Sequence, residues 1–318
     1  MKVRLAMTVG DPRGIGPEIV AKALADPRVS ERCDIILVGP EIHGLPVSEP
    51  VERWLGEEGA AYAGRLSGLS IERAVELATT GVVQGIVTAP IDKAALYAGG
   101  YDYPGHTEML GALTGLPVAM MLASDKLRVV LATTHLPLRR VTEQLSADVI
   151  ARAAAITRAG LIQWFGIPEP RIALCALNPH AGDGGRFGSE DDEMLAPAAR
   201  NAGIAGPFSA DTVFVRAMRG EFDAVIAPYH DVGMTAIKVA SFGSAVNVTL
   251  GLPFPRTSPD HGTALDIAGQ NRADPSSMIA ATLLCASFAA LAPQRGGLPS
   301  NEGPRRGTRS VGPPSRAR

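Results

Sequence analysis

Three histidines in this 318-residue chain have the residue type and surroundings of a metal site. They are His135 in ATTHLPL, His180 in LNPHAGDGG and His230 in APYHDVG. Three neutral imidazoles form a complete protein ligand set for a divalent metal that keeps one coordination position open. The preceding segments LRVVLATT, RIALCAL and DAVIAP are typical of buried strands, and the crevice at strand ends is where open α/β sheets bind ligands. The pattern therefore predicts an enzyme whose metal is held by these histidines.

Two carboxylates near the histidines are candidates to orient the ligand rings. Asp231 follows His230, and Asp183 lies three residues after His180. Such carboxylates accept a hydrogen bond from the second ring nitrogen of a ligand histidine. A ligand set made only of histidine favours zinc, while magnesium, cobalt, manganese and nickel stay open.

Polar residues in two further regions are candidates to bind an anionic ligand. The motif YPGHTE contains His106 and Thr107, and Thr107 is the predicted N-cap of the helix TEMLGAL. The C-terminal half contributes Lys238 in AIKVA, Asn247 in AVNVTLGLP and Arg256 in FPRTSPDHG. Arginine offers a planar fork and lysine a compact charge, so the group has the chemistry of a phosphate clamp.

The segment GDPRGIGPE, at 10–18, lies between a predicted strand and a predicted helix. Its glycines would let a ligand approach the backbone, but a tight strand-to-helix turn explains them equally well. The G-x-x-x-G-x-G spacing differs from the G-x-G-x-x-G dinucleotide fingerprint. The segment therefore assigns no residue to a nicotinamide cofactor.

Composition favours an intracellular α/β protein. Hydrophobic residues make up 46% of the chain and aromatic residues 5%, which predicts a core of Ala, Val, Leu and Ile. We expect a cytoplasmic protein, because there is neither a long apolar span nor a signal-peptide pattern. Cys33, Cys175 and Cys285 lie in apolar surroundings and are expected to be buried thiols rather than disulfides.

The last segment, 293–318, differs from the rest of the chain. It contains six arginines and one glutamate among many Pro, Gly and Ser residues. Such a composition predicts a disordered tail. No basic surface motif with aromatic residues accompanies it, so neither nucleic acid nor a membrane is an expected partner.

Apolar segments and helical segments alternate along the remaining chain, which predicts a largely parallel sheet with helices on both faces. The strands VAMMLAS and LRVVLATT are separated only by a short turn, so part of the sheet is predicted to be antiparallel. A change of domain is expected in the same region.

Eight motifs in order resemble the 4-hydroxythreonine-4-phosphate dehydrogenase family over 3–291: GDPRGIGPE, TAPIDKAAL, GHTEML, THLPL, LNPHAGDGG, SADTVF, YHDVGMTAIK and VNVTLGLPFPRTSPDHGTALDIAG. The resemblance implies an isopropylmalate/isocitrate-dehydrogenase-like fold of two α/β/α domains separated by a cleft. We expect the first domain at 1–113 plus 262–292 and the second at 114–261. It also implies a homodimer in which the neighbouring subunit contributes to the metal site.

The same resemblance implies the roles of the site residues. His135, His180 and His230 would bind the metal, while the substrate would contact His106, Thr107, Lys238, Asn247 and Arg256. His106 and Lys238 are the candidates for proton transfer. The implied reaction is NAD- or NADP-linked oxidation of the substrate's 3-hydroxyl, followed by decarboxylation to 3-amino-2-oxopropyl phosphate.

Departures from the family pattern keep other activities open. Val232 replaces a glutamine that the family commonly has in the YHDQG motif, and Arg186 adds a possible anion contact. One alternative is a sister dehydrogenase acting on threonate or erythronate phosphate, or on an aromatic cis-dihydrodiol carboxylate. A second is a metal-dependent lyase that uses no nicotinamide.

Overall fold

The computed structural model describes residues 2–56, 58–241 and 243–291, which contain eleven strands and eleven α-helices. The strands are β1 (Val3–Thr8), β2 (Cys33–Glu41), β3 (Glu49–Arg53), β4 (Gly85–Thr88), β5 (Ala119–Ala123), β6 (Arg128–Leu131), β7 (Ile172–Cys175), β8 (Ala205–Phe208), β9 (Ala224–Ala227), β10 (Val246–Leu250) and β11 (Arg256–Pro259). The segment predicted to be a disordered tail, 293–318, lies outside the described residues.

The helices begin and end as follows: α1 (Gly16–Leu24), α2 (Pro27–Arg32), α3 (Ala60–Thr79), α4 (Lys93–Ala98), α5 (His106–Thr114), α6 (Leu138–Gln144), α7 (Ala147–Gln163), α8 (Ala196–Ala202), α9 (Ala210–Met218), α10 (His230–Ala240) and α11 (Ser276–Leu291). A short 3₁₀ turn, Pro179–Gly182, follows β7, and a π-helical turn, Asp191–Leu195, leads into α8.

All eleven strands form one sheet in the order β3-β2-β1-β4-β11-β10-β5-β6-β9-β7-β8. In this order, the neighbouring strands from β3 to β11 are parallel, and so are those from β6 to β8. Strand β10 is antiparallel to both β11 and β5, and β5 is antiparallel to β6. The mixed, largely parallel α/β architecture predicted from the sequence is confirmed. So is the antiparallel pairing of β5 and β6.

Hydrogen bonding continues across the predicted domain boundary. Strand β11, which the prediction assigned to the second domain, pairs in parallel with β4 of the first. The two-domain division at 113/114 and 261/262 stays a prediction, with one sheet running through both units.

The core consists mainly of small and branched apolar side chains. Strands β4, β5, β7 and β9 are buried at every position, because helices cover both faces of the sheet and continuous apolar runs suit such strands. Cys33, Cys175 and Cys285 are free and buried, as expected. Burial raises the pKa of the Cys33 thiol to about 11, which keeps it protonated. In the described part of the chain, no helix is both long and apolar enough to cross a bilayer.

Candidate active site

A cleft of about 360 Å³ lies on one face of the sheet, across β4, β11, β10 and β5. Side chains of residues that pair across neighbouring strands point to the same face of the sheet. The register of these four strands therefore brings their cleft-lining side chains together. The start of α5 and the loop after β11 complete the walls. Six of the eight predicted site residues border the cleft: His106, Thr107, His135, Lys238, Asn247 and Arg256.

Arg256 is a buried cation at the floor of this cleft, with only 1% of its surface exposed. Its Nη1 donates to the Thr249 hydroxyl at 2.9 Å, and its Nη2 donates to the Thr88 hydroxyl. Its Nε has no hydrogen-bond partner, and within the described ranges no carboxylate forms an ion pair with it. Burial lowers the pKa of Arg256 to about 9. A buried guanidinium without a counter-ion is suited to receive an anion.

His106 is the first residue of α5, and the structure corrects the predicted helix start. The N-cap is Gly105, which has no side chain to cap the helix, so Thr107 lies inside the first turn rather than capping it. The first backbone N–H groups of a helix have no intrahelical acceptor, and here a side-chain cap is missing too. The start of α5 therefore presents donors to a ligand.

The imidazole of His106 is held neutral. Burial, followed by the charges of Arg256 and Lys93, lowers its pKa well below the ordinary value. Its Nε2 is buried and has no hydrogen-bond partner among the described residues. An unpartnered buried nitrogen costs free energy, which a bound ligand would recover.

Lys238 and Asn247 occupy the opposite wall. The Lys238 Nζ lies 3.4 Å from the Asp260 Oδ2, so this cation already has a carboxylate nearby. Burial raises the pKa of Asp260. The Oδ1 atom of Asn247 is buried without a partner, as are His106 Nε2 and Arg256 Nε. Three unsatisfied polar atoms thus belong to residues of the same cleft.

Two charged residues of the cleft were missed by the sequence analysis. Lys93 and Glu108 both border it, and Glu108 Oε1 lies 4.0 Å from His135 Nδ1. Their signals were present in the quoted motifs TAPIDKAAL and GHTEML. A single charged residue in a loop or first helical turn is usually solvated, so sequence position alone did not distinguish them.

His135 and His230 are brought together as predicted. They follow the carboxyl ends of the adjacent parallel strands β6 and β9, and their ring centroids lie 5.7 Å apart. The His230 Nδ1 is 2.7 Å from the Asp231 Oδ1, so the contact expected of an orienting carboxylate is present, and its role at a metal stays a prediction. Burial is the main cause that lowers the pKa of His135, with Lys93 contributing. The neutral imidazole favoured in this way is the form that binds a metal.

His180 does not join this pair within one subunit. It lies in the turn after β7 with φ 54°, and its side chain is 66% exposed. The left-handed turn carries the ring outward, 3.9 Å from Asp211 Oδ2 and beside Phe187. No group of three metal-ligating side chains is found among the described residues. Within one subunit the structure therefore brings together two of the three predicted metal ligands, and the assignment of His180 to the same metal stays a prediction.

The carboxylate proposed to orient His180 also has a different partner. Asp183 Oδ2 lies 3.6 Å from Arg186 Nη1, so the two residues pair with each other at the surface. The interpretation of Asp183 as the orienting group of His180 is wrong, and Arg186 is engaged outside the cleft.

Contacts within the chain explain the glycines of the segment at 10–18. A Cβ on Gly10 would lie 2.4 Å from the Pro90 carbonyl oxygen, and one on Gly16 would lie 2.3 Å from that of Val9. Gly10 also has φ +79°, a conformation that favours glycine. The tight-turn interpretation accounts for both positions.

Val232 packs away from the cleft. Its side chain lies against the hydrophobic cluster around Leu131, Val225 and Ile237 and does not border the cleft. The apolar residue at this position extends the core beneath α10.

Known proteins provide an independent comparison. The family model described as pyridoxal phosphate biosynthetic protein PdxA matches residues 28–285. A 4-hydroxythreonine-4-phosphate dehydrogenase from Ruegeria sp. (strain TM1040) is 44% identical over 316 residues, covering 90% of this chain and 96% of that protein. The crystal structure of 4-hydroxythreonine-4-phosphate dehydrogenase from Klebsiella pneumoniae is 36% identical with TM-score 0.80, covering 91% of this chain and 100% of that chain.

More distant structures share the architecture. Terephthalate 1,2-cis-dihydrodiol dehydrogenase from Burkholderia xenovorans LB400 is 28% identical with TM-score 0.64, covering 90% of this chain and 98% of that chain. A β-decarboxylating dehydrogenase from Thermococcus kodakarensis, at 14% identity and TM-score 0.55, covers 92% of this chain and 85% of that chain and shows the fold alone. The predicted isopropylmalate/isocitrate-dehydrogenase-like fold class is confirmed.

The family model covers most of the chain, and the chain aligns with nearly the whole length of its relative from Ruegeria. Residues from the motifs that indicated the resemblance line the cleft. The chain belongs to the pyridoxal phosphate biosynthetic protein PdxA family, whose curated relatives are named 4-hydroxythreonine-4-phosphate dehydrogenase.

Proposed function

We propose that this protein oxidises 4-hydroxythreonine 4-phosphate with NAD or NADP and that the product loses carbon dioxide to give 3-amino-2-oxopropyl phosphate. This reaction would serve pyridoxal 5'-phosphate biosynthesis in the cytoplasm. The observation that carries the proposal is Arg256, a buried cation that borders a polar cleft and forms no ion pair with a carboxylate in the described part of the chain. Burying such a charge is unfavourable unless a ligand supplies the missing anion.

The substrate residues have complementary tasks. Arg256, Asn247 and the start of α5 with His106 and Thr107 would bind the anionic groups and fix the position of the carbon chain. Lys238, beside Asp260, would donate a hydrogen bond from the other wall. Holding the 3-hydroxyl carbon in one orientation toward the cofactor removes much of the entropic barrier to hydride transfer.

A divalent metal fits the pair His135 and His230. Both rings lie at neighbouring strand ends, Asp231 orients one of them, and a lowered pKa keeps the other neutral. When bound, the ion would lower the pKa of the substrate hydroxyl and stabilise the negative charge that develops on its oxygen. Zinc is the first choice, because imidazole nitrogen is a preferred zinc ligand.

The third ligand is proposed to be His180 of the partner subunit in a homodimer. Its own turn carries it away from His135 and His230, and its exposed ring is accessible to a neighbouring molecule. In a two-fold dimer each subunit would give two histidines to one site and one histidine to the other.

Proton transfer is assigned to residues of this chain. His106 is neutral and its Nε2 has no partner, so it is placed to accept the hydroxyl proton. A substrate phosphate nearby would offset the positive charges of Arg256 and Lys93 and raise the pKa of His106 toward the neutral range. Lys238, which borders the cleft, would donate a proton to the carbon that loses carbon dioxide.

The nicotinamide would approach from the side of the cleft that His261 and Gly262 border. A Cβ on Gly262 would meet nothing within 4 Å, so the chain leaves space there. The choice between NAD and NADP is open to assay.

The direct test is to follow absorbance of reduced nicotinamide with NAD or NADP, a divalent metal and 4-hydroxythreonine 4-phosphate. Threonate 4-phosphate and an aromatic cis-dihydrodiol carboxylate serve as competing substrates, and a chelator serves as control. We expect chelator-sensitive reduction that prefers the amino acid. Preference for another substrate would assign the protein to that sister activity, while substrate loss without reduction would indicate a lyase.

We expect Asp231→Ala to weaken metal affinity by about 10- to 100-fold, since an orienting carboxylate commonly contributes that much. Its Oδ1 is 2.7 Å from the His230 Nδ1, so the substitution frees the ring to rotate. Competitive titration with a chromogenic chelator measures the affinity. Asp183→Asn is the matched control, because Asp183 pairs with Arg186. Equal loss in both variants would remove Asp231 from the metal site.

A further inference from the structure

We infer that Lys93 is a further substrate-binding residue and that, with the start of α5 and Arg256, it forms the subsite for the substrate's phosphate. The inference rests on the proposed function for the identity of the phosphate's carrier. It concerns a residue to which neither the motifs nor the comparisons gave a role.

Lys93 lies directly above the start of α5. It is the first residue of α4, where Asp92 caps the helix by accepting from the Ala95 N–H at 2.9 Å. Its Cε lies 3.6 Å from the position that a Cβ on Gly105 would take. The ammonium group therefore reaches the same space as the uncapped first turn of α5 and the side chain of His106.

The unpartnered atoms around this space indicate a ligand. His106 Nε2 and Arg256 Nε are buried without partners, and both Lys93 and Arg256 act electrostatically on His106. The N-terminus of α5 adds backbone donors and a partial positive charge, which favour an anion. The helix start and the unpartnered Nε of Arg256, which is 1% exposed, are independent observations that point to the same place.

Two cations of the cleft can pair with a bound phosphate. In the described part of the chain, Lys93 and Arg256 form no ion pair, whereas Lys238 is already beside Asp260. The positive charges of Lys93 and Arg256 both act on His106, and the Glu108 carboxylate lies beside them, with its Oε2 also 3.6 Å from the Gly105 Cβ position. A phosphate monoester, which carries a charge of about −2 near neutral pH, would pair with both cations.

The experiment titrates inorganic phosphate into the full-length protein by isothermal calorimetry. Lys93→Met is expected to weaken phosphate binding by about tenfold or more, the usual effect of losing a hydrogen bond to a charged group. Lys93→Arg should restore binding, because it keeps the charge. Lys126→Met is the matched control, since Lys126 is an exposed lysine on the turn between β5 and β6. Lys93→Gln is a second neutral variant in case Lys93→Met does not fold.

Steady-state kinetics of the Lys93→Met variant distinguishes a failure of this inference from a failure of the proposed function. Lys93→Met should raise KM for 4-hydroxythreonine 4-phosphate with little change in kcat, and it should not affect the weak turnover of unphosphorylated 4-hydroxythreonine. If wild-type protein binds phosphate through Lys93 but reduces no nicotinamide, the proposed function is wrong and the subsite stands. Phosphate binding that is absent in wild type, or unchanged in both neutral variants, would overturn the inference about Lys93.

Discussion

His180→Ala protein is expected to be inactive alone and to regain activity when it is mixed with His230→Ala protein. Each inactive subunit would supply the ligand that the other lacks, because His135 and His230 lie together while His180 lies apart. Random exchange of subunits makes half of the dimers mixed, and each mixed dimer has one complete site, so about a quarter of wild-type activity should return. The assay is nicotinamide reduction after co-refolding of the two variants.

A mixture of His135→Ala and His230→Ala proteins is the matched control. These two ligands come from the same subunit in the proposed arrangement, so the mixed dimer contains no complete site and no activity should return. Circular dichroism of each variant checks the fold. Wild-type turnover by His180→Ala alone would exclude His180 as a ligand, and recovery in the control mixture would show that the pairing is wrong.

Arg256→Met is expected to lower kcat/KM for the phosphorylated substrate by about 100-fold or more, because losing one partner of a buried charge pair costs roughly 2–5 kcal/mol. Arg256 is 1% exposed, and its Nε has no partner until a ligand arrives. Arg256→Lys keeps the charge but loses the planar fork, so an intermediate loss is expected. Steady-state kinetics on the three proteins measures the effect. Unchanged kcat/KM in Arg256→Met would remove Arg256 from the site.

Arg256→Met is expected to stabilise the fold of the protein without ligand, although it impairs catalysis. Burial lowers the pKa of Arg256 from its ordinary value to about 9, so the folded state disfavours its charge. Between these values the unfolded chain binds more protons than the folded one, and this group's contribution to stability therefore rises with pH. Below about pH 9 the wild-type protein bears the full cost of the buried charge. Arg256→Met should therefore increase the free energy of unfolding most at neutral pH, and this increase should be smaller at pH 10. Urea unfolding of both proteins at the two pH values tests this; a constant difference would contradict it.

The repeating strand and helix pattern was predictable because buried parallel strands are nearly continuous apolar runs. Strands β5, β6 and β9 were all anticipated in this way, and so was the pairing of β5 with β6. Strands β3, β8 and β11 were not identified. Each is short and contains proline, and β11 begins with Arg256, so none has the local pattern of a strand. Their pairing partners, rather than their own propensity, make them strands.

For the candidate site, too, some properties could be predicted from the sequence and others depended on the tertiary structure. The sequence by itself determined the family and the chemical types of the site residues, since these follow from the motifs. The pairing of β6 with β9 brings His135 beside His230. Only the tertiary structure decided that the cleft lies on one face of the sheet at its antiparallel centre and that Arg256 is buried there without a counter-ion among the described residues. It also decided that Lys93 lies near the start of α5 and that His180 lies away from His135 and His230. These properties depend on burial and on contacts between segments far apart in the chain, which local sequence patterns do not encode.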